Sequence, residues 1–372
     1  MGGAPERADG CGARVRGRSA GSGRLSVTAR TRGWRDRAAA ELAAAALATR
    51  EETVGDVLVV GDRTGVLARA LGDRGAAVHR WGRRLGEGEV VSAWPPDGTV
   101  VLSAVRLPRS RAELAFAVHA AAARTRPGGT IAVYGANDEG IRSADRALAA
   151  VAENVTTLRV GGHCRVVAGR RSEAHADGGP DVFAIDFELS ADDWGSQRLR
   201  GCGGRYRTWP GVFGGAGLDA GTRALVRVMA GFDRSPERVL DFGCGWGPLA
   251  RAARALWPDA RVEALDVDAL AVRAVAANAP GVEARLGDRV EGAACYDLIV
   301  ANPPYHDGKE EDTRVIEALF SDGAGALREG GCMVLVVQRR LPVPRLAAAR
   351  FRRARPLADE GIYRVWELVG PL

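Results

Sequence analysis

The stretch "VLDFGCGWGPLA" (239–250) gives the clearest indication of the fold class. Its apolar start, its alternating glycines and its Ala/Leu-rich end are typical of a β-strand that turns directly into an α-helix. A second stretch, "VLVVGDRTGVLA" (57–68), aligns with it without a gap. Further on, "RPGGTIAVYG" (126–135) and "REGGCMVLVV" (328–337) both place a Gly-Gly turn before a β-branched strand. The sequence therefore predicts one α/β unit written twice in tandem.

Strands and helices are predicted to alternate within the second copy. Helical patterns such as "ALAVRAVAAN" (269–278) separate the strands, which are expected at 238–242, 261–265, 282–286, 296–301 and 332–337. This alternation predicts α/β architecture with two Rossmann-like domains, each a doubly wound, mostly parallel sheet flanked by helices. Ligands of such sheets bind beyond the carboxyl ends of the strands. "GIYRVWELV" (361–369) is expected to be a final strand that enters the edge of the sheet antiparallel.

Composition divides the chain into four expected segments: a disordered Arg/Gly-rich arm over 1–35, a first copy over 36–175, a linker and pocket lead-in over 176–220, and a second copy over 221–372. The whole net charge of +6 comes from residues 1–37, which hold nine arginines and three acids. The remaining chain is balanced, which argues against a uniformly basic nucleic-acid binder. The arm itself is either an electrostatic tether for phosphates or a non-functional extension.

Other compositional features exclude several classes of protein. The six cysteines are scattered without a Cys-x-x-Cys pair, so neither a disulfide framework nor a zinc site is predicted, and no metal is expected. No apolar run approaches the roughly 20 residues that span a bilayer. We therefore expect a cytoplasmic protein without a membrane segment. A monomer is also expected, although composition does not determine the oligomeric state.

The glycine turn of the second copy indicates its ligand. Gly243, Gly245 and Gly247 allow close approach of the backbone, but Pro248 breaks the Gly-x-Gly-x-x-Gly pattern of dinucleotide sites. Asp241 would repel a pyrophosphate and favours a cation. S-adenosylmethionine has both an amino group and a sulfonium, and it is the expected cofactor.

Two further acids follow the next strands. Asp266 ends the second strand, where a carboxylate can accept hydrogen bonds from both ribose hydroxyls. Asp268 competes for that role, but its position favours a helix N-cap. After the third strand, Asp288 is either an acceptor for the adenine amine or an ordinary turn residue.

The stretch "NPPY" (302–305) follows the fourth strand and indicates the reaction. An exocyclic amine is a poor nucleophile because its lone pair is delocalised. The side-chain oxygen of Asn302 and the carbonyl of Pro303 can accept both of its N–H bonds, and Pro303 with Pro304 hold these acceptors rigid. Tyr305 can stack on a flipped planar base. His306 is either a base or a residue that shapes the loop or touches phosphate.

These motifs resemble those of class I S-adenosylmethionine methyltransferases, and within them the bacterial guanine-N2 methyltransferases of small-subunit ribosomal RNA. "WPGVFGGAGLDAGTRAL" (209–225) resembles the segment leading into the catalytic domain, and "NPPYHDG" resembles the catalytic loop, with Tyr305 where phenylalanine is common. The resemblance implies that Leu218, Asp219 and Gly221 approach the cofactor and that Asn302 holds the guanine amine. Gly214 departs from the usual serine of the family.

The first copy lacks the residues that these roles need. It has Val59 in place of Asp241 and Arg63 in place of Gly245, its second strand ends in "VHRWGRR" (78–84) without an acid, and it has no Asn-Pro-Pro. The resemblance likewise implies that the N-terminal copy is degenerate. We expect it to be inert as an enzyme.

Seven arginines and no acid occupy 338–356. Arg339 and Arg340 are expected to emerge at the same sheet end as Asn302 and to bind phosphates of ribosomal RNA or the small subunit; the alternative is a solvated helix. Similar Asn-Pro-Pro loops occur in DNA adenine-N6 and release-factor glutamine methyltransferases. A large-subunit guanine methyltransferase and a non-catalytic ribosome-assembly protein also remain as alternatives.

Overall fold

The computed structural model describes residues 27–50, 54–175, 177–303 and 310–372. Within them, two seven-stranded sheets have the same strand order, and a two-stranded sheet lies between them in sequence. Each large sheet is flanked by helices. The predicted α/β class with two tandem, mostly parallel sheets is confirmed.

The first half forms the sheet β3-β2-β1-β4-β5-β7-β6. Its strands β1 to β7 are Asp56–Val60, Ala77–Gly82, Val90–Val91, Val100–Arg106, Thr125–Ala136, Ala152–Gly161 and Cys164–Arg171. Its helices α1 to α4 are Val27–Leu47, Val66–Gly72, Arg111–Arg124 and Ala144–Ala149. Because α1 begins at Val27, the expectation of a disordered arm up to residue 35 is wrong for residues 27–35. The rest of the predicted arm, 1–26, lies outside the described residues.

The two halves are joined by the hairpin β8–β9 and its flanking turns. Strands β8 and β9 are Ile185–Leu189 and Gly204–Thr208, and the short 3₁₀ helices of this segment are Pro180–Phe183, Asp192–Trp194 and Gln197–Cys202. Two further 3₁₀ helices, Asn137–Glu139 and Ile141–Ser143, lie in the first half between β5 and α4. Phe183 packs edge-to-face on Phe116 of the first half, and Phe187 packs edge-to-face on Trp246 of the second. The segment expected to be a linker is therefore ordered and contacts both halves.

The second half forms the sheet β12-β11-β10-β13-β14-β16-β15. Its helices α5 to α9 are Ala220–Ala230, Pro248–Leu256, Ala269–Asn278, Glu310–Ala326 and Val343–Ala347. Its strands β10 to β16 are Arg238–Phe242, Arg261–Asp266, Glu283–Leu286, Tyr296–Ala301, Leu327–Gln338, Phe351–Glu360 and Tyr363–Pro371.

Strand β16 corrects one expectation. It is antiparallel, but it pairs with both β14 and β15 and so does not form the edge of the sheet. The edge strand is β15, which takes up residues 351–356 at the end of the arginine-rich segment 338–356. The alternative of a solvated helix is wrong for these residues, whereas the short helix α9 does lie in the middle of the segment. Alternation of apolar residues identifies a strand, but it does not identify the neighbours of that strand.

The strands of the second sheet bury both faces. Leu240 and Ile299 point to a cluster that α8 closes with Phe320, whereas Val239 and Leu298 face the other side, where α6 and α7 lie. This alternation follows from the two-residue period of a strand. Because helices cover both faces of the sheet, a ligand can approach it at the carboxyl ends of the strands, and the glycine turn lies there.

Candidate functional site

The glycine turn between β10 and α6 needs glycine for two separate reasons. Gly243, Gly245 and Gly247 have φ values of 72°, 54° and 92°, which side-chain-bearing residues rarely adopt. In addition, a Cβ at Gly245 would lie 3.1 Å from the carbonyl oxygen of Phe213. The turn therefore lies directly against the segment that leads into α5.

Asp266, at the end of β11, holds this turn in place. Its Oδ2 accepts a hydrogen bond from the Gly245 N–H at 2.9 Å, and its Oδ1 accepts one from the Asp268 N–H at 2.9 Å. Burial raises the pKa of Asp266 to about 6, against the lowering effect of these two N–H donors. Each carboxylate oxygen keeps a second lone pair for a ligand.

Asp268 is an N-cap residue, as expected. Its Oδ1 accepts a hydrogen bond from the Leu270 N–H at 3.0 Å at the start of α7. Satisfying this N–H stabilises the first turn of the helix. Asp266 rather than Asp268 is therefore the acid next to the glycine turn.

Asp241 lies in β10 and is fully buried. Its Oδ2 accepts a hydrogen bond from the Ala250 N–H of α6 at 2.9 Å, whereas its Oδ1 has no hydrogen-bond partner among the described residues. Burial raises the pKa of Asp241 to about 8. A buried carboxyl with an unpaired oxygen is stabilised in its ionised form by a nearby cation.

Asn302 follows β13 and is fixed through its amide nitrogen. Nδ2 donates to Thr222 Oγ1 at 2.9 Å and lies 3.3 Å from Oδ1 and 3.4 Å from Oδ2 of Asp219. Because a carboxylate only accepts hydrogen bonds, it requires the NH₂ group on its side and turns Oδ1 of Asn302 away. The result is an oriented acceptor at the carboxyl end of the sheet.

Asp219 is itself held by the helix that it caps. Its Oδ1 accepts a hydrogen bond from the Thr222 N–H at 3.0 Å, and its Oδ2 accepts one from the Thr222 hydroxyl. Sequence reasoning missed Thr222. The available signal was an aspartate at the start of a predicted helix, because an N-cap carboxylate accepts the N–H of the residue three positions later.

A cavity brings Asn302, Asp219 and Thr222 together with Gly243, whereas Asp241, Gly245, Gly247 and Asp266 are not among the residues that line it. It is lined by Phe213, Gly214, Asp219, Thr222, Gly243, Cys244, Trp246, Pro248, Leu249 and Asn302. Sequence reasoning missed Phe213 and Trp246, because an aromatic side chain in a loop carries no distinctive pattern. Leu218 and Gly221 are buried beside Asp219 and do not line the cavity.

Trp246 explains the glycine at position 214. Gly214 has φ 85°, and a Cβ there would lie 2.9 Å from Nε1 of Trp246. That indole N–H donates instead to the carbonyl oxygen of Gly217 at 3.1 Å. The tryptophan therefore occupies the space that a serine side chain at 214 would need, and it supplies a hydrogen bond to the same segment.

The hairpin supports the glycine turn from behind. Tyr206 stacks edge-on against Trp246 with ring centroids 5.1 Å apart. Nδ2 of Asn278 donates to the carbonyl oxygens of Arg207 and Trp246, at 2.7 and 2.8 Å. The expected linker thus forms part of the scaffold of the site.

Several predicted site residues lie apart from the cavity or outside the description. Asp288 is exposed one residue after Gly287, whose N–H donates to the Asp266 carbonyl at 2.9 Å. Pro303 is buried after Asn302, whereas Pro304, Tyr305 and His306 lie outside the described residues. Arg339 and Arg340 follow the carboxyl end of β14 and are exposed.

The first copy has a different constellation at the corresponding place. Strand registers pair Val57 with Leu102 and Val239 with Leu298, so Arg106 corresponds to Asn302. Arg106 is buried and donates to Asp36 at 2.6 Å and to Glu139 at 2.7 Å. The same reasoning on the neighbouring strands places Gly82 at the position of Asp266. An ion-paired arginine thus stands where the second copy presents an amide.

No group of three or more His, Cys, Asp or Glu side chains in the described residues is placed to hold a metal ion. None of the described helices combines the length and the apolar character of a membrane span.

A glycine turn with nearby acids and an oriented amide on a parallel α/β sheet indicate a methyltransferase, and two family models match the chain accordingly. "Methyltransferase small domain" matches residues 204–367, and "Methyltransferase small domain N-terminal" matches residues 87–179. Relatives match about three quarters of the chain. Proteins named ribosomal RNA small subunit methyltransferase C from Hahella chejuensis and Pseudomonas paraeruginosa are 30% and 32% identical, over 74% and 73% of this chain and 80% of each relative. The chain belongs to the ribosomal RNA small subunit methyltransferase C family.

A solved structure supports the two-copy fold. The chain matches a T. thermophilus 16S rRNA N2 G1207 methyltransferase in complex with AdoMet and guanosine, with a TM-score of 0.72 and 22% identity. The match covers 89% of this chain and 91% of that one. The resemblance stated from the motifs is therefore confirmed at the level of family and fold.

Proposed function

We propose that this protein transfers a methyl group from S-adenosylmethionine to the exocyclic N2 amine of a guanine in 16S ribosomal RNA. The observation that carries the proposal is Asn302, whose amide nitrogen is engaged by Thr222 and Asp219 so that its oxygen is presented as an acceptor. The names of the relatives favour the small-subunit RNA over the large-subunit RNA, DNA and protein alternatives.

The residues of the second copy fit S-adenosylmethionine. Gly243 lines the cavity, and the space where its Cβ would stand is open for a ligand, whereas a Cβ at Gly245 would press on the Phe213 carbonyl. Asp266 accepts the Gly245 N–H and keeps lone pairs for ribose hydroxyls. Asp241 has a buried, unpaired oxygen that a cationic ligand would satisfy. When bound, S-adenosylmethionine supplies a methyl group on a positively charged sulfur. Asp288 is the proposed acceptor for the adenine amine.

The chain's own residues then activate the nucleophile. The guanine N2 lone pair is delocalised into the ring, and it becomes available when both N–H bonds point at acceptors. Oδ1 of Asn302 is one acceptor, and the carbonyl of Pro303 is the proposed second. Fixed acceptors also align the nitrogen with the methyl carbon, which accounts for much of the rate enhancement in reactions that depend on orientation.

No strong base is required for this step. As the nitrogen gains the methyl group and the carbon–sulfur bond breaks, the nitrogen becomes acidic and releases one proton to water or to a nearby group. His306 is a candidate for that group, and Tyr305 for the surface on which the base stacks. With Pro304, these residues complete the proposed catalytic loop.

The partner proposed for this site is the RNA of the small ribosomal subunit. Arg339 and Arg340 lie beyond the carboxyl end of β14, the same sheet end as Asn302, and can contact phosphates beside the target base. We propose further that the protein is a cytoplasmic monomer. The five cysteines of the described residues are free thiols, which supports a reducing compartment. The two copies already pair with each other through an antiparallel bridge, which supports a monomer because that surface is not available to a second chain.

The deciding experiment is mass mapping of modified nucleosides in 16S ribosomal RNA from a strain that lacks the protein. We expect one N2-methylguanosine to disappear, to return with the wild-type gene and to stay absent with Asn302→Ala. If every N2-methylguanosine is retained in the deletion strain, the proposed reaction is wrong.

A further inference from the structure

The two copies meet at positions that correspond to each other. Strand registers pair Val59 with Arg80 and Asp241 with Ala264, so Arg84 corresponds to Asp268. These two residues face each other in an antiparallel bridge. Around it, the Leu85 N–H donates to the Val267 carbonyl at 2.9 Å. The contact therefore resembles the interface of a symmetric dimer, placed within one chain.

Residues of the first copy bond the turn that follows Asp266, the proposed ribose-binding acid. Oδ2 of Asp268 accepts a hydrogen bond from Nη2 of Arg83 at 2.6 Å and lies 3.1 Å from Nε of Arg84. The Ala269 N–H also donates to the Arg83 carbonyl at 2.8 Å. Since Asp266 accepts the Asp268 N–H, the position of the Asp266 carboxylate depends on this turn.

The same two arginines also bond the backbone of the lead-in segment, the second wall of the proposed cofactor site. Nη1 of Arg83 donates to the carbonyl of Pro210, and Nη2 of Arg84 donates to the carbonyl of Gly211 at 3.1 Å. These carbonyls precede Phe213, which lines the cavity. Each guanidinium therefore joins the ribose turn to the lead-in segment.

Glu113 of α3 completes the cluster. It is buried, and its Oε1 accepts a hydrogen bond from Nη2 of Arg84 at 2.6 Å. Although burial opposes ionisation, Arg84 and Arg83 hold the pKa of Glu113 below its ordinary value. Gly211 has φ 79°, and a Cβ there would collide with Glu113. The cluster is thus compact and charged on both sides, which restricts its geometry.

We propose that Arg83 and Arg84 are positioning residues that clamp both walls of the cofactor site, so that the non-catalytic copy sets the affinity of the catalytic copy for S-adenosylmethionine. The inference rests on the proposed function, since it takes Asp266 as the ribose acceptor. Its physical basis is preorganisation. A wall that is already fixed loses less entropy on binding than one that the ligand must order.

Substitution by lysine tests the clamp itself. Lysine keeps the charge, but its single ammonium cannot bond two walls in the fixed fork geometry of a guanidinium. We expect Arg83→Lys with Arg84→Lys to weaken S-adenosylmethionine binding about tenfold in calorimetry, through lost charge-assisted hydrogen bonds. Amide hydrogen exchange of residues 209–217 and 266–270 should also become faster in the ligand-free variant.

Arg106→Lys is the matched control. Arg106 is a buried arginine that also joins two carboxylates, but those partners, Asp36 and Glu139, belong to the first copy. We expect a comparable loss of thermal stability and an unchanged dissociation constant. If the double lysine variant does not fold, Arg84→Gln with Glu113→Gln replaces it, because this pair removes one charge of each sign.

Asp266→Ala separates the two hypotheses. If it weakens binding about tenfold or more, as the loss of ribose hydrogen bonds predicts, while the folded clamp variants bind like the wild type, the clamp is refuted and the proposed function stands. If Asp266→Ala also binds like the wild type, the ribose assignment is refuted, and the inference falls with it.

Discussion

Arg106 occupies in the first copy the position that Asn302 occupies in the second, and each is bonded to an acidic residue at the helix that precedes its own sheet. For Arg106 this residue is Asp36 of α1, and for Asn302 it is Asp219 at the N-cap of α5. In both copies an acid from the preceding helix therefore contacts this position. In one copy the acid orients an amide, and in the other it neutralises a guanidinium.

The first copy should not bind S-adenosylmethionine. Arg106 stands in the place of the amide, Gly82 in that of Asp266 and Val59 in that of Asp241, so none of these three positions supplies the acceptor or the anion proposed for the cofactor in the second copy. Titration calorimetry should give one molecule of S-adenosylmethionine per chain. A stoichiometry of two would contradict the assignment of an inert copy.

Asn302→Ala should reduce kcat about 10²- to 10³-fold, a range typical of losing one preorganised transition-state hydrogen bond. Its effect on the dissociation constant for S-adenosylmethionine should be small, because the glycine turn and Asp266 remain. Thr222→Val tests the orientation of the amide, since it removes the 2.9 Å partner of Nδ2 and should lower kcat less. Full activity of Asn302→Ala would remove this residue from the mechanism.

Asp241 makes cofactor binding depend on pH. With a pKa of about 8 in the ligand-free protein, its carboxyl is mostly protonated at pH 7, and a bound cation favours the ionised form. Binding at pH 7 should therefore release a proton, and affinity should rise with pH up to about 8. Calorimetry in buffers of different ionisation enthalpy measures this release, and Asp241→Asn should abolish it.

The same shift has a consequence for stability. Between the ordinary carboxyl pKa near 4 and the raised value of about 8, the folded protein binds more protons at Asp241 than the unfolded chain. The contribution of Asp241 to the free energy of unfolding should therefore fall as pH rises through this window. Asp241→Asn should flatten that part of the profile, and an unchanged slope would contradict the raised pKa.

Gly214→Ser should destabilise the protein by about 1–3 kcal/mol in urea unfolding, because the position has positive φ and its Cβ would meet the Trp246 indole. Combining it with Trp246→Phe, which removes Nε1 and narrows the ring system, should recover part of the loss. If the two changes are additive in a double-mutant cycle, the proposed steric coupling is wrong.

Local patterns in the sequence predicted much of the architecture. The expected bounds of β10, β13 and α7 match the structure, because strand period, glycine turns and helix caps act over a few residues. The error at β16 concerns its neighbours in the sheet. The place of β16 depends on its pairing with β14 as well as with β15, which the alternation of its apolar residues does not specify.

Contiguous residues with a characteristic period or turn chemistry predict the duplication, the parallel sheets, the glycine turn and the catalytic candidate Asn302. The contacts that hold these residues are visible in the folded protein alone. Thr222 and Asp219 orient Asn302, and Arg83 and Arg84 join two walls of the site across more than a hundred residues of chain. Such contacts depend on which side chains folding brings within hydrogen-bond distance, and no local pattern specifies that.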